Sequence, residues 1–379
     1  MTAPVQPAIA RARPKIRNSL SSHIHLWLGL TAGAVLAMCG LTGSYLAFYP
    51  EIEQVAIAEL RSSPGAQPSS YEAVYQKLTR VSSGGRGEWN IELPGKGGVI
   101  TGRIPGKGGS RMVSLDPVSL DVVRDVTWGG TASTWIYELH YHLLMGRTGK
   151  TIMGVIGLAC LVMLGVGATL WWRSGRGLQS RLTFQVKGTA QRKLYDAHRL
   201  LGIGGLLLLS LSVATAVAMN LPQQVRPILA SIAPISRQPK PVSVPSPGQA
   251  RISVDDALAI ARATLPHADL RWVRIPAKPE SPYAIRYWHE GDLSRRFPKS
   301  YIWLDQYSGQ VLGIDDGSRD STSDRILAWL YPLHSGQAFG TAGRSAVAML
   351  GLVPAILFVT GLLRWRSKSA RLKAYQRRT

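Results

Sequence analysis

Four stretches of this chain carry no charged residue and are long enough to cross a lipid bilayer: Leu26 to Tyr49, Thr151 to Trp172, Leu200 to Leu221 and Ser345 to Leu363. About 20 apolar residues in a helix span the hydrocarbon layer. Inside that layer each backbone N–H and C=O must be satisfied within its own segment, so such runs are committed to helix. Buried helices of a soluble protein are the alternative, but core helices of this length rarely lack every charge. A cleaved signal peptide competes for the first run. That run is far longer than a signal core of roughly 7–15 residues, and Leu46-Ala47-Phe48-Tyr49-Pro50 offers no small-x-small cleavage site. It reads as an uncleaved anchor.

The chain holds 44 Lys and Arg against 22 Asp and Glu, a formal charge of +22. Taken alone, that excess would suggest nucleic acid. Its distribution points elsewhere. Arg11, Arg13, Lys15 and Arg17 precede the first run. Arg173, Arg176, Arg181, Lys187, Arg192 and Lys193 lie between the second and third, and Arg364, Arg366, Lys368, Arg371, Lys373, Arg377 and Arg378 follow the fourth. Asp196 is the only acid in these three segments. This positive-inside bias places both termini and the short loop in the cytoplasm and the long segments outside it. The expected partner of these bases is the anionic surface of a lipid membrane; no nucleic-acid motif is present. Cys39 and Cys160 both fall within apolar runs, so they read as packing residues, with neither a disulfide framework nor a zinc spacing.

The resulting order is a basic N-terminus (1–24), a first span (25–49), an outer segment (50–133), a histidine segment with the second span (134–172), a basic loop (173–197), a third span (198–221), a linker with a second outer segment (222–328), a histidine segment with the fourth span (329–365) and a basic tail (366–379). In the second outer segment the pattern predicts a helix over Ile252 to Thr264, capped by Ser253 and stopped by Pro266. Strands are expected at Arg271 to Ile275, Tyr283 to Trp288 and Tyr301 to Leu304, then a turn from Asp305 to Gln310 before Val311-Leu312. The first outer segment echoes this order: a helix over Tyr71 to Val81, strands at Trp89 to Leu93, Gly98 to Ile104 and Met112 to Leu115, and a turn from Asp116 to Asp121. The fold expected is thus an α-helical membrane protein with four transmembrane helices in a parallel two-fold repeat, plus two small periplasmic α+β domains.

The duplication is explicit at the histidines. Trp135-Ile136-Tyr137-Glu138-Leu139-His140 and Trp329-Leu330-Tyr331-Pro332-Leu333-His334 both read W-x-Y-x-L-H, followed at equal offsets by Gly146 and Gly149 or by Gly340 and Gly343. His25 and His198 both open an H-x-x-L-G line. The topology sorts the four into two levels, with His25 and His198 at the cytoplasmic ends of spans and His140 and His334 at the outer ends. Each level holds one histidine from each half. Two imidazoles facing each other in a helix bundle are how such a bundle holds a b-type haem, so two b-type haems are expected. The nearby Gly29, Ala32, Gly33, Gly202, Gly204 and Gly205 allow close approach of helices or of a flat cofactor. A single histidine at a membrane boundary is more often an interfacial polar residue. A bare copper or iron ion is also chemically open, but each level offers only two repeated histidines and no carboxylate or thiolate. His23 aligns with Asp196 and His142 with Gly336, so both are alternates rather than members of the set, while His267 and His289 have no companion pattern and are expected to be exposed. Trp135, Tyr137, Trp329 and Tyr331 fit either an interfacial aromatic belt or a wall of the outer site. Without a nucleotide-binding loop, the chain must take electrons from a separate donor.

These residues resemble the PepSY-associated transmembrane family. The resemblance rests on the His25-Leu-Trp-Leu-Gly line, on Leu139-His140, on Asp196-Ala-His198-Arg-Leu-Leu-Gly, on Tyr331-Pro-Leu-His334-Ser-Gly and on the Asp305-Gln-Tyr-Ser-Gly-Gln turn of a PepSY module. It covers nearly the whole chain and departs most in the first outer segment, around Gly84-Gly85 and Gly106 to Gly109. It implies PepSY-like outer domains and a di-haem reductase of the bacterial inner membrane, similar in layout to the ferric-siderophore reductases of the ferrioxamine type. The implied activity is the reduction of ferric siderophore iron in the periplasm, with electrons from a quinol or a cytoplasmic reductase. Two other classes fit the same features: the haem-bearing subunit of a quinol-linked complex, and a non-catalytic PepSY module that binds peptide or protein.

Overall fold

The first apolar run is bent. In the computed structural model, which describes residues 20–61, 66–82, 87–93, 98–106, 109–174, 177–237, 239–245 and 248–376, it forms helix α1 (Leu20–Leu30) and helix α2 (Ala32–Leu46), inclined by 45°. Thr31 sits at the break and its hydroxyl donates to the Trp27 carbonyl at 2.8 Å, a side-chain bond of the kind that bends helices. The bases Arg11 to Arg17, Arg176, Arg377 and Arg378, the Gly84-Gly85 stretch, and residues 107–108 of the Gly106 to Gly109 stretch lie outside the described residues.

From α2 the chain continues through α3 (Tyr49–Ala56) and α4 (Tyr71–Val81) to strands β1 (Asn90–Glu92), β2 (Ile100–Ile104), β3 (Arg111–Leu115) and β4 (Val122–Thr127). It returns through α5 (Ala132–His142) into α6 (Gly146–Trp172). After the short α7 (Leu178–Leu182), α8 (Ala190–Asn220) leads back to α9 (Pro222–Ala230), α10 (Val254–Thr264) and strands β5 (Asp269–Arg274), β6 (Tyr283–Trp288), β7 (Ser300–Leu304) and β8 (Val311–Asp315). Helices α11 (Thr322–Ser335) and α12 (Gly340–Gln376) complete the order. Three helices, α6, α8 and α12 with the turn before it, are long and apolar enough to cross a membrane, and the bent α1–α2 pair makes a fourth if it is one span. The chain is a multi-pass membrane protein with an antiparallel sheet outside the bundle.

The two outer segments do not form two separate domains. Their strands make one eight-stranded sheet in the order β4-β3-β2-β1-β5-β6-β7-β8, joined by the antiparallel pair Asn90↔Arg274, Ile91↔Val273 and Glu92↔Trp272. Each four-stranded set alone would leave β1 or β5 as an unpaired edge, and pairing those edges satisfies both. One face is covered by α4 and α10. Val74 and Leu78, Ile91, Ile100 and Val113 from the first segment and Leu258, Val273, Ile285 and Ile302 from the second pack in one core.

The helices also lock each other. The carboxylate of Asp255, in the first turn of α10, accepts from Ser70 Oγ and the Tyr71 and Glu72 amides at the start of α4 (2.5, 2.7 and 3.1 Å). Glu72 in turn accepts from the Val254 amide at the start of α10 (2.9 Å) and from Arg251 (3.1 Å). Each helix therefore caps the exposed N–H groups of the other. The two expected turns also match: Asp116 Oδ1 accepts from the Val118 and Ser119 amides, and Asp305 Oδ1 from those of Tyr307 and Ser308. Leu120 (φ 59°) stands where Gly309 (φ 73°) stands, so a non-glycine residue takes the left-handed position in the first copy.

In the bundle, α2 packs on α12 and α6 on α8. The first crossing is set by Gly40 and Gly351: a Cβ on Gly40 would stand 2.2 Å from the Gly351 carbonyl oxygen. Such contact between backbones admits only glycine. At the second, a Cβ on Gly154 would meet Leu221 and one on Gly157 would meet Val217.

Two histidine pairs at the seam between the halves

The W-x-Y-x-L-H lines lie on α5 and α11, each started by a capping box, Thr131 with Thr134 and Ser321 with Asp324. Each helix then ends just past its histidine in a left-handed residue, Leu143 or Gly336. The glycine nine residues after each histidine has the same task in both copies. A Cβ on Gly149 would lie 1.7 Å from the His142 carbonyl oxygen, and one on Gly343 2.2 Å from that of Gly336. These glycines fold the spans α6 and α12 tightly back on the helices that carry His140 and His334.

The four repeated histidines come together in two pairs, each with one member from either half. His25 and His198 have ring centroids 6.2 Å apart with planes at 85°; His140 and His334 have centroids 6.1 Å apart with planes at 52°. Each ring is held from behind by its own half. His25 Nδ1 lies 3.1 Å from the Met163 carbonyl on α6, and His198 Nδ1 lies 3.0 Å from the Leu357 carbonyl on α12. His140 Nδ1 is 2.9 Å from Thr42 Oγ1 on α2, and His334 Nδ1 is 3.2 Å from Thr215 Oγ1 and 3.0 Å from the Ser212 carbonyl on α8. The hydroxyl protons of Thr42 and Thr215 go to carbonyls of their own helices, Met38 and Leu211, so their oxygens are left to accept from the rings. Every Nδ1 therefore carries the proton, and every Nε2 keeps its lone pair for the seam. Gly167 and Gly43 let the His25 and His140 rings lie on the helix behind them: a Cβ there would stand 2.9 Å and 3.0 Å from the respective ring carbons.

The ring separations would suit a metal held between the two imidazoles of a pair. With a metal–nitrogen bond of about 2.0–2.1 Å and about 1.2 Å from nitrogen to ring centre, two such rings have centroids roughly 6.4 Å apart. A proton anchored at Nδ1 by a carbonyl or hydroxyl is the usual support of a metal-binding imidazole. Among the described residues no cluster of three or more His, Cys, Asp or Glu side chains is placed to bind a bare ion. A planar macrocycle that supplies its own equatorial donors suits a two-histidine site.

The alternates are not brought into either pair. His142 Nε2 is 2.8 Å from Glu138 Oε2 and its Nδ1 accepts from the Gly146 amide at 3.2 Å, so both nitrogens serve the turn into α6. His23 is exposed on α1. His267 is exposed as expected, whereas His289 is half-buried, with its Nε2 near Ser300 Oγ (3.1 Å) and the Asp316 carbonyl (3.2 Å). Cys39 and Cys160 are free, and Cys160 is buried with its thiol 3.6 Å from the Ala32 carbonyl.

A cavity of about 1140 Å³ holds the outer pair: it extends from the bundle residues Leu36, Cys160 and Val213, past His140 and His334, to the sheet residues Glu92, Thr101 and Arg103. The repeated tyrosines and tryptophans divide here. Tyr137 and Tyr331, three residues before the histidines and so on the same helix face, line the cavity, while Trp135 and Trp329 point outward and are 46% and 38% exposed. An aromatic collar continues from the tyrosines. Trp128 meets Tyr137 edge-on at 5.3 Å, Phe297 meets Tyr331 at 5.8 Å, and Trp272 stacks on Phe297 at 6.1 Å. Trp128, Trp272 and Phe297 were not marked by the repeat, since they come from the sheet and its loops, where the two halves differ in sequence.

Paired, internally supported histidines at two levels of a helix bundle, under an outer sheet, mark the candidate site of a multi-pass membrane protein. The chain belongs to the family of the PepSY-associated TM region, whose family model matches residues 22–368. A comparison with curated proteins finds no match.

Proposed function

We propose that this protein is a di-haem oxidoreductase of the inner membrane that carries electrons across the bilayer and reduces ferric siderophore iron in the periplasm. The reading takes α1–α2 as one of four spans in a parallel two-fold repeat, with the termini and the α6–α8 loop cytoplasmic and the sheet periplasmic. The single observation that carries it is the pair of centroid separations, 6.2 and 6.1 Å, with Nδ1 of each ring tied back to its own half. His25 and His198 would hold the cytoplasmic-side haem and His140 and His334 the periplasmic-side haem. A b-type haem supplies a reversible one-electron couple there. The chain fixes ring orientation through Nδ1, admits close packing at glycines and encloses the outer site beneath tyrosines. Electrons come from a separate donor, a quinol or a cytoplasmic reductase. The siderophore itself is supported by the family resemblance alone.

A reduced-minus-oxidised absorption spectrum of the purified protein is the first test. Low-spin haem bands are expected; their absence sinks the redox reading and leaves a non-catalytic PepSY binding module. Reoxidation of the reduced protein by a ferric siderophore but not by quinones separates the reductase from a subunit of a quinol-linked complex. Replacing His140 or His334 with Ala should remove one haem, whereas His142→Ala should keep both. Retention of both haems in all four single variants of the repeated histidines would overturn the ligand assignment.

A further inference from the structure

The cavity that holds the outer histidine pair has an excess of positive charge. Six arginines line it, Arg103, Arg124, Arg271, Arg295, Arg296 and Arg344, against the acids Glu51, Glu53, Glu92 and Asp269. Three acids serve four of the arginines: Glu53 pairs with Arg124 (3.2 Å), Glu51 with Arg344 (2.7 Å), and the single carboxylate of Asp269 is shared by Arg271 and Arg295 (3.7 and 3.5 Å). Arg103 and Arg296 make no ion pair among the described residues. Both are set in the aromatic collar. The Arg103 guanidinium lies 4.6 Å over Trp128 and 5.5 Å over Trp272, and its Nε is buried without a partner. Arg296 lies 5.2 Å over Tyr49 and 5.3 Å over Phe297, and donates to the Tyr49 hydroxyl at 3.2 Å. Glu92, the remaining acid of the cavity, makes no ion pair among the described residues but acts on Arg296 through its charge, and six arginines against four acids leave a surplus of two positive charges.

A buried guanidinium with an unpaired Nε is costly unless something accepts from it. Aromatic faces offset part of that cost through the ring quadrupole, but they leave the N–H edges free. The Arg103 and Arg296 guanidinium groups, together in a cavity that also holds the outer histidines, fit a ligand with several anionic oxygens.

We infer that this vestibule selects anionic oxygen-donor ferric chelates and orients them on Arg103 and Arg296. The inference rests on the reductase reading for the iron, while the anion site stands on the charge geometry alone. In a tris-catecholate or polycarboxylate complex the ligand charge exceeds that of iron(III). Iron takes one electron from the donor named above, no bond to carbon or oxygen breaks, and the complex gains one further negative charge. A fixed cationic site binds that reduced complex more strongly than the oxidised one, so the same arginines that dock the chelate also favour its reduction. A chelate bearing a free ammonium group would meet the two unpaired guanidinium groups and be disfavoured.

The test uses the full-length protein in detergent and gallium(III) in place of iron, which removes reduction from the measurement. Equilibrium dialysis compares a trianionic gallium tris-catecholate with a gallium trihydroxamate carrying a free amine. The anionic chelate should bind at least about tenfold more tightly, weaken with added salt, and weaken at least about tenfold in Arg103→Gln and in Arg296→Gln. Arg103→Lys, which keeps the charge, should recover part of the binding, and Arg111→Gln, paired with Asp125 and outside the cavity lining, should bind as wild type. Equal binding of the two chelates, or full binding in both glutamine variants, overturns the inference. So does loss of haem from those variants in the difference spectrum, because the arginines would then be holding the cofactor's own carboxylates. A wild-type protein without haem bands that still prefers the anionic chelate would instead sink the redox reading and keep this site.

Discussion

At the scale of single residues, the four histidines were legible because each occurs in a repeated line, and the repeat also separated them from His23 and His142. Their supports were harder to see. Three of them are backbone carbonyls, of Met163, Leu357 and Ser212, which any side chain can provide, so no residue type announces them. The hydroxyls were within reach: Thr42 and Thr215 each lie 17 residues after the first histidine of their half, an offset that only acquires meaning once helix packing is known. Thr215→Val keeps the shape and removes the acceptor near His334 Nδ1. The expected result is loss of haem from the periplasmic-side site to a haem-scavenging apoprotein about 10-fold faster or more, with the other site unchanged. Equal rates for the variant and the wild type would mean that the Ser212 carbonyl alone orients the ring.

At the scale of elements, caps decided what the sequence revealed. Helix α4 was read with its observed bounds and α10 within two residues at its start, and in both the apolar positions recur every three and four residues behind a serine cap. Strand β4 escaped notice. Val122–Thr127 carries Arg124 and Asp125 and is an exposed edge, so it lacks the apolar alternation of a half-buried strand. The joining of the outer segments was hidden for another reason: the strand at Trp89 to Leu93 was read, but nothing in either segment's own pattern says that it pairs with β5 of the other. The reciprocal caps at Glu72 and Asp255 give this element pair a pH signature. Burial alone would raise the Asp255 carboxyl, but hydrogen bonds from Ser70, Tyr71 and Glu72, with the Arg262 charge, outweigh it and hold the group below the usual carboxylate range. Its stabilisation is therefore present above the unfolded value near ~3.9 and is lost as pH falls through the lower folded value. Asp255→Ala should destabilise the outer domain by about 2–3 kcal/mol at neutral pH. The deficit should shrink as wild type and variant are unfolded at progressively lower pH; a constant difference down to the most acid condition would contradict the assignment.

At the scale of the whole molecule, charge distribution and the four apolar runs announced a membrane bundle with an outer region, and the repeat set one histidine from each half at each level, but neither showed which helices touch. The seam depends on which helices touch, and that is settled by close contacts such as Gly40 with Gly351, which look like any other small residues in an apolar run. Each histidine pair draws on both halves, so neither half alone could supply both imidazoles to either of the proposed haems. Expressed separately, segments 1–174 and 177–379 should each lack low-spin bis-histidine bands. Co-expression should restore them through the α2–α12 and α6–α8 packing and the β1–β5 pairing. Full bands from either segment alone would show that the ligands pair within a half.

Every histidine leans on its own half and faces the other across the seam. A shorter chain holding one such half could therefore complete both histidine pairs by associating with a second copy of itself about a two-fold axis, with the same imidazole on either side. Fusing two copies in one chain removes the need for identity, and the halves have drifted accordingly: Val166 stands at the offset where Thr360 reaches His198. A symmetric homodimer must place equivalent surroundings on both sides of its axis. A fused chain is free to make its two entrances unlike.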